Sequence, residues 1–257
     1  MRGPSSSFTL LLTLVLSAAC GAAGSDSTGE GSSDTGGETG AGSVVVRGDA
    51  FAFTLPGSPY GLIADATIRV LEAPGISVRS DATGHFEFPA LAGGGSATFV
   101  LEHPDFPPAR TRTFVLPDAG ALERVTFQVP DNALFEAIAA IVEIEIDPGA
   151  CQIVSTVTRV GKSIYDDGAH GEAGATVTIS PALPAEQGPI YFNDGVIPDR
   201  SVTMTSTDGG VLFVNVPPGT YVVQAHKDGV VFEDVTMQCE AGVLVNASPP
   251  YGVQALP

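Results

Sequence analysis

The stretch "GATVTI" (Gly174–Ile179), followed by "TSTDGGVLFVNVPPGTYVVQAHKDG" (Thr205–Gly229), decides the fold class. In the first piece Ala175, Val177 and Ile179 alternate with Thr176 and Thr178, the pattern of a strand with one buried face. The Asp208-Gly209 pair ahead of Val211 is hairpin chemistry, because glycine takes positive φ without steric cost. "VPPGTY" (Val216–Tyr221) then stops one strand and starts the next.

The same pattern occurs earlier in looser form. "ADATIRV" (Ala64–Val70) parallels "AGATVTI", with Ala66, Ile68 and Val70 on one face. "TGHFEFPALAGG" (Thr83–Gly94) parallels "DGGVLFVNVPPG" (Asp208–Gly219). Flanking strands are expected at "SVVVRG" and "ERVTFQV" for the first copy, and at "CQIVSTVTR" and "FEDVTMQC" for the second. These motifs resemble the carboxypeptidase regulatory-like domains, β-sandwiches of transthyretin-like (prealbumin-like) topology often grouped with carbohydrate-binding-like folds. The likeness is closer over residues 149–257 than over 43–130, where "PALAGGGSATF" lacks the Pro-Gly-Tyr of the second copy. It implies an all-β chain of two tandem Ig-like or transthyretin-like sandwiches, and it specifies a fold without specifying a chemistry.

Residues 131–148 are expected to join the copies. Asp131 or Asn132 could cap a short helix over Ala133–Ile141, whereas "VEIEI" (Val142–Ile146) alternates like a strand, and the two readings compete.

The amino-terminal end gives an address. Arg2, an apolar run of twelve residues (Phe8–Ala19) and the small residues Ser17, Ala18 and Ala19 precede Cys20. That run is too short to cross about 30 Å of hydrocarbon, and it has the layout of an export signal. The segment resembles the lipobox of bacterial lipoproteins, although Leu16 lies one place further from the cysteine than the family prefers. The resemblance implies cleavage after residue 19, a lipid on Cys20 and a membrane partner through that anchor. Gly21 in place of Asp resembles outer-membrane sorting. Residues 21–42 contain only Gly, Ala, Ser, Thr, Asp and Glu, nothing that burial could use to offset ordering entropy, so a disordered tether is expected over 20–42. At this length it would have about 25 Å of mean reach.

The charge excludes one class of partner. With 29 acidic against 11 basic residues, a net of −18, the chain would repel nucleic-acid phosphates. Three cysteines leave one over when two pair. The resemblance assigns Cys20 to the lipid, which leaves Cys151 and Cys239. A disulfide is favoured over two buried thiols or a metal pair, since two cysteines with no clustered His make a poor zinc site.

The expected catalytic residues and cofactors are none. The four histidines, His85, His103, His170 and His226, have no complete nucleophile set beside them, and "GGGSAT" around Ser96 has Thr98 where a nucleophile elbow needs glycine. Tyr165, His170, Tyr191 and His226 could in principle surround an iron, but the dioxygenase signature is missing. The acids of "YDDGAHGE" (Tyr165–Glu172) do not have EF-hand spacing, and solvated loop acids are the simpler reading. A non-catalytic structural or interaction role in the cell envelope is expected; the alternative is a glycan- or protein-binding module at the cell surface that uses Tyr191 and Phe192, expected on a long loop within "GPIYFNDG".

Overall fold

The computed structural model describes residues 42–54, 60–247 and 250–257. The export signal, Cys20 and the tether up to residue 41 lie outside the described residues. The first half contains β1 (Ser43–Phe53), β2 (Gly61–Leu62), β3 (Thr67–Val70), β4 (Ala73–Arg79), β5 (His85–Ala92), β6 (Ser96–Glu102), β7 (Ala109–Val115) and β8 (Gly120–Pro130). Helix α1 (Asn132–Ile141) follows. The second half contains β9 (Cys151–Thr158), β10 (Thr176–Ser180), β11 (Ile190–Phe192), β12 (Pro198–Asp199), β13 (Gly210–Val216), β14 (Gly219–His226), β15 (Val235–Cys239), β16 (Leu244–Asn246) and β17 (Val253–Gln254). The chain is therefore mainly β, arranged in packed sheets.

In the first half β1 is the central strand of one sheet. It pairs antiparallel with β5 and β2, and parallel with β8. Its alternation buries Val44, Val46 and Ala50 toward β3, β6 and β7 of a second sheet. Phe86, Phe88, Phe99 and Phe127 fill the space between, with ring centroids 5.6–6.2 Å apart in tilted or edge contacts. Gly48 sits where any Cβ would come within 1.7 Å of the Val125 carbonyl, so the irregularity in the β1–β8 pairing at that point requires glycine.

In the second half β10, β14 and β15 form a three-stranded sheet. It packs on the inner face of β9 and β13, where Ile153, Val157, Val211 and Phe213 are fully buried. Cys151 and Cys239 are bonded across this core, with Cα atoms 5.8 Å apart, as their strand parity leads one to expect.

The short strand β16 joins the halves. It runs parallel to both β7 and β9, so a single sheet passes through β13, β9, β16, β7, β6 and β3 without a break. Leu244 packs in the phenylalanine-rich core of the first half, while its neighbour Val245 packs in the core of the second. Two ion pairs reinforce the seam. Arg110, almost fully buried on β7, meets Glu240, and Arg112 Nη2 lies 2.7 Å from Glu233 Oε1. The described residues from 42 onward accordingly belong to one compact unit.

Of the competing readings of 131–146, the helix is the one the structure has. Asp131 caps the helix by accepting from Leu134 N at 2.8 Å. Val142–Ile146 is not a strand. Glu143 takes a left-handed φ of 57°, which ends the helix, and the segment then lies flat on a sheet face instead of joining an edge. Its alternation serves burial: Val142 is fully covered and Ile144 half covered, both against Ile190, Leu212 and Val214.

Candidate cavity on the outer sheet face

The sheet formed by β9, β13 and β11 is apolar on both sides. Inward-facing Ile153, Val211 and Phe213 belong to the sandwich core, while outward-facing Val154, Leu212 and Val214 look toward α1. Helix α1 covers only part of this outer face. The remainder is the floor of a half-open cavity of about 750 Å³. One wall is α1 with its following segment, through Phe135, Ile138 and Ile144. A second is the carboxyl-terminal ends of β1 and β8, contributing Phe53, Gln128 and Pro130. A third is the loop Ile164–His170.

Strand register orders the floor. Leu212 pairs with Val154, and two residues along, Gly210 pairs with Thr156. The apolar pair lies toward α1, the polar pair toward the loop with His170 and Asp208. Gly210 is required here, because a Cβ would fall 2.8 Å from Cγ of Phe192 and 2.6 Å from the Asp208 carboxylate. Its missing side chain lets the Phe192 ring lie directly on the strand.

The expected Tyr191–Phe192 loop is a strand. Both residues lie on β11, paired through Tyr191 with Val211, and only 4% and 6% of their surfaces are exposed. Tyr191 points into the core, where its hydroxyl accepts a hydrogen bond from Val177 N at 2.8 Å. That bond satisfies an N–H of β10 on the edge opposite β14, so Tyr191 is a structural residue. Phe192 points the other way and forms part of the cavity. The flanking Gly188 and Asn193–Gly195 suggested a loop, but an apolar triplet buried on both faces is what a sheet covered on both sides demands.

The loop wall is tied to the first half. Tyr165 Oη donates to Asp49 Oδ2 at 2.6 Å, and Asp49 Oδ1 lies 3.0 Å from His85 Nδ1. The Arg124 guanidinium sits 5.1 Å from the centre of the Tyr165 ring. Burial and the Asp49 carboxylate hold the Tyr165 phenol well above its ordinary range, and burial raises that of Tyr60 at the rim. Both phenols therefore stay protonated at neutral pH. Among the described residues, no Ser, Cys, Lys or Arg lines the cavity.

His170 of this loop and Asp208, just ahead of β13, are two further partly buried titratable groups of the cavity. Burial lowers the His170 pKa below 6.5, which keeps the imidazole neutral at pH 7, and burial raises that of Asp208 above 3.8, opposed by the hydrogen bond from Gly210 N. The depressed histidine makes the unfolded chain bind more protons just below pH 6.5, so stability should rise with pH through that window and be lost as pH falls. Melting temperatures measured from pH 7.5 to 5 should fall in the parent chain and fall less in His170→Gln. Equal slopes would show that His170 contributes nothing to the dependence.

The other sequence candidates are scattered. Tyr165 and His170 line the cavity, Tyr191 is in the opposite core, and His226 is exposed on β14 with Nε2 3.0 Å from Thr178 Oγ1. In the acidic loop Asp166 accepts from Ser163 N and pairs with Lys162, and Glu172 pairs with Lys227. Among the described residues no three His, Cys, Asp or Glu side chains come together to hold one metal ion. The signal for the cavity was present in "VLFV" (Val211–Val214), an unbroken apolar run where a one-faced strand would alternate.

No family model matches this chain, and no curated protein does. Several solved structures align with it. The Bacillus anthracis TIE protein is 14% identical over 84% of this chain, which spans 34% of that protein, with a TM-score of 0.26. A minor pilin of Streptococcus agalactiae is 10% identical over 84% of this chain and 97% of its own, with a TM-score of 0.26. A candidate carbohydrate-binding protein from Bacteroides uniformis is 11% identical over 77% of this chain and 97% of its own, with a TM-score of 0.27. At scores this low the overlays supply no argument about what this chain binds or builds, and its architecture rests on its own strand pairing.

Proposed function

We propose that this chain is a non-catalytic binding protein of the bacterial cell envelope, lipid-anchored through Cys20 and held at the outer membrane or cell surface. Its ligand occupies the cavity between α1 and the outer face of β9, β13 and β11. The cavity itself carries this reading. Its volume of about 750 Å³ lies within the range of small-ligand sites, roughly 300–1,000 Å³. Its floor is a sheet and one wall is a capped helix, the rigid elements on which binding geometry is best kept. The anchor is supported by the small residues before Cys20 and the solvated tether after it.

Protein-observed NMR with a fragment library is the test of binding. Hits should shift the resonances of Tyr60, Phe192 and Leu212, and Leu212→Trp, which projects an indole into the cavity, should abolish them without unfolding the chain. A library that leaves those resonances unmoved would reject a cavity ligand and favour a purely structural module. For the anchor, mass spectrometry of the mature amino terminus should find acylated Cys20, and an unmodified terminus elsewhere would remove it.

A further inference from the structure

The distribution of charge along this cavity indicates its ligand class, on the premise that the cavity binds a ligand at all. Four aspartates, Asp166, Asp167, Asp194 and Asp208, line its loop end, and among the described residues the lining includes no lysine or arginine. Asp166 already pairs with Lys162, at 3.6 Å, whereas the hydrogen bonds that Asp194 and Asp208 accept come from neutral groups, the Thr207 hydroxyl and the Gly210 amide. The nearby cations are engaged elsewhere: Arg124 against the Tyr165 ring, and Arg159 on the Ala169 carbonyl, in a neighbouring shallow pocket with Glu172 and Lys227. The far end is apolar, built of Val154, Leu212 and Val214 beneath Phe135, Ile138 and Ile144. The floor from Gly210 to Val214 is five residues, four steps of strand, about 13 Å at the usual rise.

We propose that the cavity selects an organic cation with an apolar body, an alkyl- or arylalkyl-ammonium whose charged end lies among Asp167, Asp194 and Asp208 and whose chain runs over Val154 and Leu212 toward α1. The separated carboxylates suit this class better than a metal ion, which needs its ligands converged on one point. Negative walls of low dielectric focus the field on the bound charge, and the net charge of −18 draws cations toward the surface as a whole. An anion of the same shape would meet three carboxylates with no counter-charge.

The experiment compares three probes of one length on the full-length chain, octylammonium, 1-octanol and octanoate, by calorimetry and by the Phe192 and Leu212 resonances. Octylammonium should bind at least tenfold more tightly than octanol, with the margin shrinking as salt is added, and octanoate should bind least. Asp208→Asn keeps the acceptor for the Gly210 amide, and Asp167→Asn alters an exposed loop residue. Each should weaken octylammonium several-fold and leave octanol unchanged, and Asp167→Asn decides the matter if Asp208→Asn fails to fold. Octanol or octanoate binding in the cavity as tightly as octylammonium would overturn the cation selectivity while leaving a cavity ligand in place. If none of the three shifts the cavity resonances, binding at this site falls and the selectivity with it.

Discussion

Reducing the Cys151–Cys239 disulfide should lower the melting temperature of the whole chain by up to about 8–20 °C, in one transition. The bridge closes a separation of 88 residues, which on the chain-entropy model is worth about 4–5 kcal/mol, an upper figure. For a unit of this size each kcal/mol is roughly 2–4 °C. Both sulfurs are in the second core, so a tandem arrangement would lose only that half and leave a separate first transition. The seam at β16 argues otherwise. Leu244 is part of the first core and lies five residues from Cys239, so loosening the second half withdraws a side chain and a sheet partner from the first. Calorimetry with and without reductant, and with Cys151→Ala/Cys239→Ala, distinguishes these. A first-half transition that stays in place on reduction would show that the halves are thermodynamically separate, and thiols that label freely in the native oxidised protein would show that the bridge is absent.

Val245→Pro should be at least as damaging. Val245 is fully buried at the middle of a three-residue strand held by parallel neighbours on both sides. Proline removes an N–H and cannot be accommodated within a central strand, a cost of at least about 3 kcal/mol in comparable helical settings. The control is Val245→Ala, which trims the side chain and keeps the backbone donor, at about 0.8 kcal/mol per buried methylene equivalent before any cavity term. Urea unfolding should give the proline variant a much lower midpoint, together with loss of protection of β7 amides in hydrogen exchange. A proline variant that unfolds like the alanine variant, with β7 still protected, would mean that β16 does not couple the halves.

Much of the fold was legible because its signals are local. Ala66, Ile68 and Val70 alternate and are buried; so do Ala175 and Val177, with Ile179 half buried. Cys151 shares parity with Ile153 and Val157, and Cys239 with Val235 and Met237, and all six side chains are in one core. Two strands that present a cysteine to the same core can be paired on paper. The site was harder to read. Tyr191 and Phe192 stand out as aromatic neighbours between turn residues, but adjacent strand residues face opposite ways, so at most one serves a given surface. Phe192 is the one that reaches the cavity.

The sequence by itself determined the all-β class, the buried face of each long strand and which cysteines meet, since each follows from a period of two read over a few residues. Only the tertiary structure decided that one sheet continues through both halves and that a cavity lies on its outer face. Nothing within "LVN" (Leu244–Asn246) states that it will be flanked by β7 and β9, for that depends on which distant strands have unpaired N–H and C=O groups along their edges. The cavity likewise exists only because the ends of β1 and β8, helix α1 and the Ile164–His170 loop converge over a sheet that is apolar on both faces.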